Sequence, residues 1–526
     1  MPSSSPGSGI CPKIKPVFVS DGLFMTAYST PASGQPPATT RRRAFTVVLA
    51  IELWERFGYY GMQAVLTLFM VQQLRMADTA ANLMLGAFSA LTYITPVLGG
   101  VLGDRVLGTR RTMVMGAIAL AIGYACLAAS LTSPTLLLLA MALISTGNGL
   151  FKPNAGNLVR RIYEGDNAAL DAAFTLYYMS VNVGSTVSML LTPWLQVNYG
   201  APVAFATCSV GLVIGLLYYV WRSGWLAHTA SAVEKESVPL SRFALVGLGL
   251  LALTVFNAWI MSSDGLARVC ILAAAALLFL AWVVLYVRAP GEERPGLRLT
   301  YMLCLQGTIY LVFYQQMITS LTLFALRDVS GDFSIGGVTL FHMSAGQFQA
   351  LNPIWIMAIS PLLAVLYNRL GAQGRDLSLA RKMLIGYVMV AMAFAVWWLS
   401  AVGTKGLVSP WIMVAGYGLL SFAELLTNGL GLAIVARYTP ARLSGFMMGA
   451  LYLLWGIAMY VGSVIANRAA MPADMAASAG NALYAGLFRT LCEVAVVIVV
   501  ILVCLEPLTR RWDREHITVN MKLPPN

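Results

Sequence analysis

Fourteen apolar stretches, each close to the length of a bilayer crossing, limit what this chain can become. They lie at roughly 44–73, 79–103, 112–131, 134–158, 168–195, 201–223, 241–261, 267–287, 300–326, 346–368, 381–402, 409–436, 442–467 and 481–505. A helix needs about 20 apolar residues to cross the hydrocarbon layer. Backbone groups there must be paired within the segment or within a closed barrel. Stretches of this length are therefore helices, and the fold class is an all-α polytopic membrane protein. Composition agrees, with 58% of the 526 residues hydrophobic and 11% charged, against about 25% charged in soluble domains.

The formal charge of +12 follows membrane topology rather than nucleic-acid binding. With the first end inside, 26 of the 34 Lys and Arg fall in inner loops and tails. Five (Arg75, Arg268, Arg327, Lys405, Arg468) fall in outer loops, and three (Arg56, Lys152, Arg489) lie within spans. The positive-inside rule then places both termini in the cytoplasm. The low charge of the outer loops fits a bacterial inner membrane. Residues 1–43, rich in Ser, Pro, Gly and Thr and ending in Arg41-Arg42-Arg43, read as a flexible cytoplasmic arm rather than an export signal. Residues 509–526 read as a cytoplasmic tail. The seven cysteines are scattered without metal-ligand spacing, the three histidines lie outside the spans, and no GxxxxGK[ST] loop occurs.

The spans divide as six, two and six. Residues 44–223 form an N-terminal six-helix bundle and 300–508 a C-terminal one. The connector 224–299 carries two extra helices with almost no embedded polarity, expected to face lipid as a spacer. Two six-helix halves suggest a pseudo-symmetric carrier with its site at the midplane between them. Residues 327–345 are expected to form a long, mobile outer loop.

Span one carries charge where a membrane helix ordinarily has none. Glu52, Glu55, Arg56, Tyr59, Tyr60 and Gln63 recur at helical spacing on one face. Each charge at a bilayer centre costs about 2.5–3.5 kcal/mol on insertion scales, so the stripe faces protein or a watery cavity. Lys152 in span four is a lone base whose natural partners are Glu52 or Glu55, with Arg56 competing for the same acids. Protonating a glutamate would release a cation to hold a substrate carboxylate, linking anion binding to proton uptake. Glu424 is the sole acid in the first five spans of the second half, suited to a substrate ammonium. Bases on one side and an acid on the other match a short zwitterionic peptide, while Tyr59, Tyr60, Tyr93, Tyr178, Asn182 and Asn352 supply neutral hydrogen bonds. A fixed ion-pair network that only sets helix packing has the same residue pattern, and each tyrosine taken singly fits packing as well as binding. Arg489 and Glu493, one turn apart in the last span, are expected to form an internal structural ion pair.

Between spans two and three, Gly99-Gly100-Val-Leu-Gly103-Asp104-Arg105-Val-Leu-Gly108-Thr-Arg110-Arg111 resembles the cytoplasmic loop motif of the major facilitator superfamily. Asp104 with Arg110 or Arg111 would clamp neighbouring helix ends there. Four further clusters resemble the proton-dependent oligopeptide transporters. Glu52-x-x-Glu55-Arg56 with Tyr59-Tyr60 is similar to their first-helix motif, and Gly149-Leu-Phe-Lys152-Pro153-Asn154 to their buried-lysine motif. Phe174-Thr-Leu-Tyr177-Tyr178-Met-Ser-Val-Asn182-Val-Gly184-Ser185 looks like the family signature. Ala423-Glu424-Leu425, with Pro440-Ala-Arg442-Leu-Ser-Gly445-Phe-Met447-Met448-Gly449, looks like the tenth and eleventh helices. Gln347-Phe-Gln-Ala-Leu-Asn352-Pro353 is similar to the bacterial dipeptide and tripeptide permeases in particular.

The resemblance covers about residues 44–467. It implies the major facilitator fold, two six-helix bundles plus two extra helices, and a proton-coupled symporter rather than an enzyme. The symporter would import dipeptides, tripeptides and peptide-like drugs by alternating access, as a monomer in the lipid bilayer, with a proton gradient in place of any cofactor or metal. It further implies that Glu52, Glu55 and Arg56 couple protons, that Lys152 binds the peptide carboxyl end, and that Asn352 with Glu424 binds the amino end. Tyr60, Tyr93, Tyr178 and Asn182 match cavity-lining positions. A carrier of another small zwitterion or organic anion, and a non-transporting membrane peptide sensor, are the alternatives.

This chain departs from the family at three places. Gln63 stands where many members carry arginine, and Gln315, in Phe313-Tyr314-Gln315-Gln316, where many carry glutamate. Relatives form an outer salt bridge from those two groups, so a hydrogen-bonded outer gate through Gln63 and Gln315 is expected here. Asn428 and Leu451 replace the more usual serine and tryptophan of the pocket.

Overall fold

The structure, a computed structural model, describes residues 36–235, 237–375, 377–404, 406–471 and 480–522. Most of the N-terminal arm, Lys405 and the last four residues lie outside these. The first six spans are α1 (Ala38–Leu68), α2 (Asp78–Ile94) running on into α3 (Pro96–Arg105), α4 (Thr109–Ala129), α5 (Pro134–Ile162), α6 (Asn167–Tyr199) and α7 (Ala201–Arg222). A short α8 (Ala232–Lys235) leads to the middle pair, α9 (Leu240–Met261) and α10 (Asp264–Arg288). The last six are α11 (Arg294–Tyr314) with α12 (Ser320–Arg327), α13 (Leu351–Ala372), α14 (Leu379–Gly403), α15 (Trp411–Leu426) with α16 (Gly431–Tyr438), α17 (Ser444–Ala466) and α18 (Gly480–Lys522).

Twelve of these rods are long and apolar enough to cross a membrane. The other two, α1 and α6, span 31 and 33 residues but are more polar, and with them the described residues hold fourteen. In α1 the polarity is the charged stripe. In α6 it is a ladder in which Ser185, Thr186, Ser188 and Thr192 each donate to a backbone carbonyl three or four residues back, so the hydroxyls are satisfied within the helix. Helix α1 begins at Ala38, so the arginine run expected in the arm belongs to its first turns, and α18 continues through most of the expected tail.

Each bundle has its own core. One is centred on Val48, Ile51, Met62, Phe69, Leu120, Tyr124, Phe151 and Phe205. The other is centred on Leu303, Tyr310, Phe324, Phe394, Trp397, Tyr417 and Phe488. Where helices must come closest, small residues line the crossing. A Cβ on Gly99 of α3 would sit 1.9 Å from the Gly149 carbonyl oxygen of α5. Just before that contact, Thr95 donates to Ser145 O of α5 at 3.0 Å, which pins the α2–α3 junction at Pro96.

The middle pair is not a featureless spacer. Most of its surface is exposed, yet Asn257 of α9 is buried and donates to Thr146 of α5 at 3.2 Å, beside Thr254. Met261, Ala267 and Ile271 join the first bundle's core. At the other end, Trp282 of α10 stacks on Tyr301 of α11 at 4.4 Å, and Ala289 joins the second core. The pair therefore straddles both bundles. The expected mobile loop is also more structured than its composition suggests. Strands β1 (Asp332–Ile335) and β2 (Val338–His342) form a hairpin turned at Gly336 and Gly337, both at positive φ, as a two-residue hairpin loop requires. Phe333 is buried against Phe341, Phe348 and Trp411 and anchors it.

Gly99→Val should force α3 off α5, because the obstacle is backbone rather than a flexible side chain. A loss of about 1–3 kcal/mol or more is expected for such overpacking, read as a lowered melting temperature of the purified protein in detergent.

Candidate functional site

The charged stripe of α1 faces inward. Glu52, Glu55 and Arg56 are 2%, 0% and 3% exposed. Arg56 Nε lies 3.1 Å from Glu52 Oε1, one turn back, and 2.5 Å from Glu55 Oε2, so a single guanidinium holds both carboxylates. These contacts are not aligned as hydrogen bonds. Nε and Nη2 of Arg56 and one oxygen of each glutamate lack a hydrogen-bond partner. The set is held chiefly by charge, in surroundings where an uncompensated charge is costly. Asn148 of α5 donates to the other Glu55 oxygen at 3.3 Å, Tyr177 of α6 lies beside Glu52, and Arg56 stands over the Tyr59 ring at 5.7 Å.

Lys152, one turn beyond Asn148 on α5, is where the structure refines the expectation. Its ammonium makes no ion pair within 4.0 Å with either glutamate among the described contacts. It lies 5.2 Å from the centre of the Tyr93 ring of α2, a distance at which a cation is attracted to the ring face. Arg56 has taken the acids and Lys152 is left toward the cleft. Pro153 follows it, lacking the N–H that would bond back to Gly149 O, the carbonyl against which Gly99 packs. Tyr60, Gln63, Thr92, Tyr314 and Met459 complete a small chamber with Arg56, Tyr59, Tyr93, Asn148 and Lys152.

The facing wall comes from the second bundle. Helix α15 stops at Leu426, where Thr427 leaves helical geometry, and resumes as α16. Glu424 sits on the last turn before that break, as in broken helices that build midplane sites. Asn352 Nδ2 of α13 donates to Glu424 Oε2 at 2.9 Å and to Ser421 Oγ at 3.0 Å. Tyr60, Tyr93, Tyr178, Tyr310 and Tyr314 all lie within the field of the Glu424 charge. Asn182 donates to Tyr178 O at 2.8 Å. Leu451 is buried, and the indole on this wall is Trp455, edge-on to Tyr93 at 5.9 Å.

The face opposite the basic loops is sealed across the bundles, though not through Gln63 and Gln315. Gln315 donates to Ser463 of its own bundle at 2.8 Å, and Gln63 lines the Lys152 chamber. The seal is Arg327 at the end of α12, bidentate on Asp78 in the first turn of α2 at 2.6 and 2.8 Å, with Tyr484 at 3.0 Å. Thr67 donates to Ile318 O at 2.6 Å, Asn82 to Asn467 at 3.0 Å and Gln347 to Leu190 O at 2.9 Å. On the basic side of the cleft, Tyr178 is 47% exposed. The loop motif there also arranges itself differently from the expectation. Asp104 accepts from Asn157 at 3.1 Å. Arg110 instead donates to Leu226 O at 3.2 Å, while Glu234 accepts from the Arg110 backbone N–H at the start of α4. The motif thus clamps the connector after α7. Arg489 and Glu493 do pair, at 2.8 Å, but on the outside of α18, with side chains 61% and 57% exposed.

Several of these residues escaped the sequence reading. Asn148 had a signal, one helical turn from Lys152. Tyr177 stands next to Tyr178 in the same motif. Ser421, Trp455, Asp78 and Arg327 carried no local signal, because their partners come from distant helices.

Two six-helix bundles, a midplane cleft with a buried cation–carboxylate set on one wall and a lone acid on the other, and a seal at one face define a secondary carrier of the major facilitator type. Within that class the chain belongs to the POT family, whose sequence profile matches residues 110–480. It is 39% identical over 500 residues to dipeptide and tripeptide permease A of Proteus mirabilis (strain HI4320), covering 93% of this chain and 100% of that one. It is 38% identical over 476 residues to dipeptide and tripeptide permease A of Escherichia coli (strain K12), covering 90% and 94%. The crystal structure of tetrameric PepTSo2 matches with a TM-score of 0.82 and 41% identity, over 90% of this chain and 100% of that one. A structure of a proton dependent oligopeptide transporter matches with a TM-score of 0.79 and 42% identity, over 90% and 100%.

Breaking the seal should be visible without transport. Ser463 is fully buried behind it, so a cysteine in Ser463→Cys should react slowly with a membrane-impermeant maleimide, and faster once Asp78→Asn is added. Asp328, just outside the spans beside Arg327, supplies a pH test. Burial pushes its carboxyl up to about 6, against the lowering effect of Arg327. A carboxyl raised in the folded state contributes stability fully below its unfolded pKa and loses it as pH rises through the folded one. Melting temperature should therefore fall between about pH 4 and pH 7 from this group, and Asp328→Asn should flatten that fall.

Proposed function

We propose that this protein imports dipeptides and tripeptides together with protons by alternating access, holding the substrate at the midplane between its bundles. The observation that carries the reading is the division of labour on the first wall: Arg56 occupies Glu52 and Glu55, and Lys152 is turned to the cleft opposite Glu424. A peptide carboxylate would dock on Lys152 and its ammonium on Glu424, which Asn352 and Ser421 orient, with the tyrosines serving side chains of many kinds. Protonation of a glutamate in the α1 set would loosen Arg56 and change the charge that the carboxylate meets, so proton and peptide bind interdependently. Asp104, Arg110, Gln63 and Gln315 act in this scheme around the path rather than as cross-bundle bolts. Peptide-like drugs with the same two charged ends fit the same cleft. No cofactor enters the scheme, which draws on a proton gradient.

The basic face is taken as cytoplasmic by the positive-inside rule, which places both termini inside and the Arg327–Asp78 seal outside, in a bacterial inner membrane. The structure is then the inward-facing state. A single chain supplies every wall of the cleft, so the transport unit is the monomer, including where copies assemble as in the tetrameric relative.

Labelled Ala-Ala should accumulate in proteoliposomes only with an inward proton gradient, and unlabelled dipeptides and tripeptides should compete it away. Accumulation without a gradient, or none with folded protein, would sink the proposal. Glu52→Gln should abolish gradient-driven accumulation while peptide exchange persists. Lys152→Ala should weaken Ala-Ala uptake about ten-fold or more, the worth of a hydrogen bond to a charged group, and weaken uptake of a carboxylate-blocked analogue much less.

A further inference from the structure

A second cavity, of about 370 Å³, opens at the outer seam between the bundles, apart from the central cleft. Leu68, Gln72 and Gln73 from the end of α1 and Gln196 near the end of α6 form one side, and Leu326 and Ser344 from the second bundle form the other. The backbone is unusual where the glutamines enter. Helix α1 ends in a π-turn over Phe69–Gln73, and Arg75 follows at φ 54°. Such turns and left-handed non-glycine residues concentrate at functional sites.

Three cross-bundle hydrogen bonds frame the cavity. Thr67, next to Leu68, bonds Ile318; Gln347, close after Ser344, bonds Leu190; Arg327, next to Leu326, bonds Asp78. Both bundles thus supply its walls, so parting them there would take it apart, and its size falls within the ~300–1,000 Å³ of small-molecule sites. Its chemistry differs from that of the central cleft. The lining offers three side-chain amides and a hydroxyl among aliphatic groups, and no charged side chain. Amides pair with amides as donor and acceptor together, whereas no charged side chain of the lining would pair with the ends of a zwitterion.

We propose that this seam is a second binding site, for neutral amide-bearing molecules such as end-blocked peptides, and that its occupancy holds the outer face closed. A ligand whose contacts come from both bundles in one state binds that state and must oppose any motion that separates them. The inhibitory consequence rests on the alternating-access reading, whereas the binding itself does not.

N-acetyl-Ala-Ala-amide is the probe. The melting temperature of the full-length protein in detergent should rise with the probe, and should not rise for Gln196→Leu or, should that variant fail to fold, for Gln73→Leu. Added outside right-side-out proteoliposomes, the probe should lower the maximal rate of Ala-Ala uptake about five-fold or more, the low end of allosteric coupling, with KM unchanged. Both glutamine variants should take up Ala-Ala normally and escape inhibition. No stabilisation of the wild type, equal stabilisation of the folded variants, or inhibition that raises KM at constant maximal rate, as occupation of the central cleft would, overturns the proposal. Absence of all Ala-Ala uptake would instead overturn the transport reading, and the melting measurements would still decide the site.

Discussion

The rest of this structure depends on one guanidinium shared by two carboxylates inside a membrane helix. Arg56 lies between Glu52 and Glu55 with almost no exposure to solvent. Removing one partner of such a buried set leaves charge uncompensated, at a cost of about 3–5 kcal/mol. The set is also incompletely hydrogen-bonded, and polar groups left partly unpaired in a low dielectric are costly. The surrounding helices supply what the set lacks: Asn148 from α5, Tyr177 from α6, and the Tyr59 ring of α1 itself.

The two bundles meet this set differently. The first is drawn tight around it by small-residue crossings such as Gly99 on Gly149. The second carries its acid beside a break, with α15 interrupted after Leu426 and α11 interrupted between Tyr314 and Ser320. The middle pair, bonded to α5 at one end and stacked on α11 at the other, links the two bundles at their flank, away from the cleft.

Much of this was legible in the chain itself. The fourteen apolar stretches, their six-two-six grouping, the inward charge of α1 and the placing of Glu424 and Asn352 on one side of the site all follow from spacing, composition and family resemblance. The misreadings share a cause. Gln63 and Gln315 were expected to meet because relatives pair those positions, but amides bond whatever oxygen is nearest, and for Gln315 that is Ser463. Arg110 was expected to act with Asp104, yet its guanidinium donates to Leu226 O, and Asp104 accepts from Asn157 instead. Arg489 and Glu493 were expected to form an internal ion pair, and they do pair, but on the outside, where two charges one turn apart neutralise each other too.

By itself the sequence determined which segments cross the membrane, which helix carries buried charge and which acid stands in the opposite half, because hydrophobic periodicity and the cost of burying charge act locally. Only the tertiary structure decided that Arg56 rather than Lys152 holds the glutamates, that Arg327 and Asp78 bolt the face opposite the basic loops, and that an uncharged second cavity lies beside that bolt. Those outcomes are contests among side chains about 100 to 250 residues apart, settled by which groups packing brings within about 3 Å of each other, and no local pattern records the result.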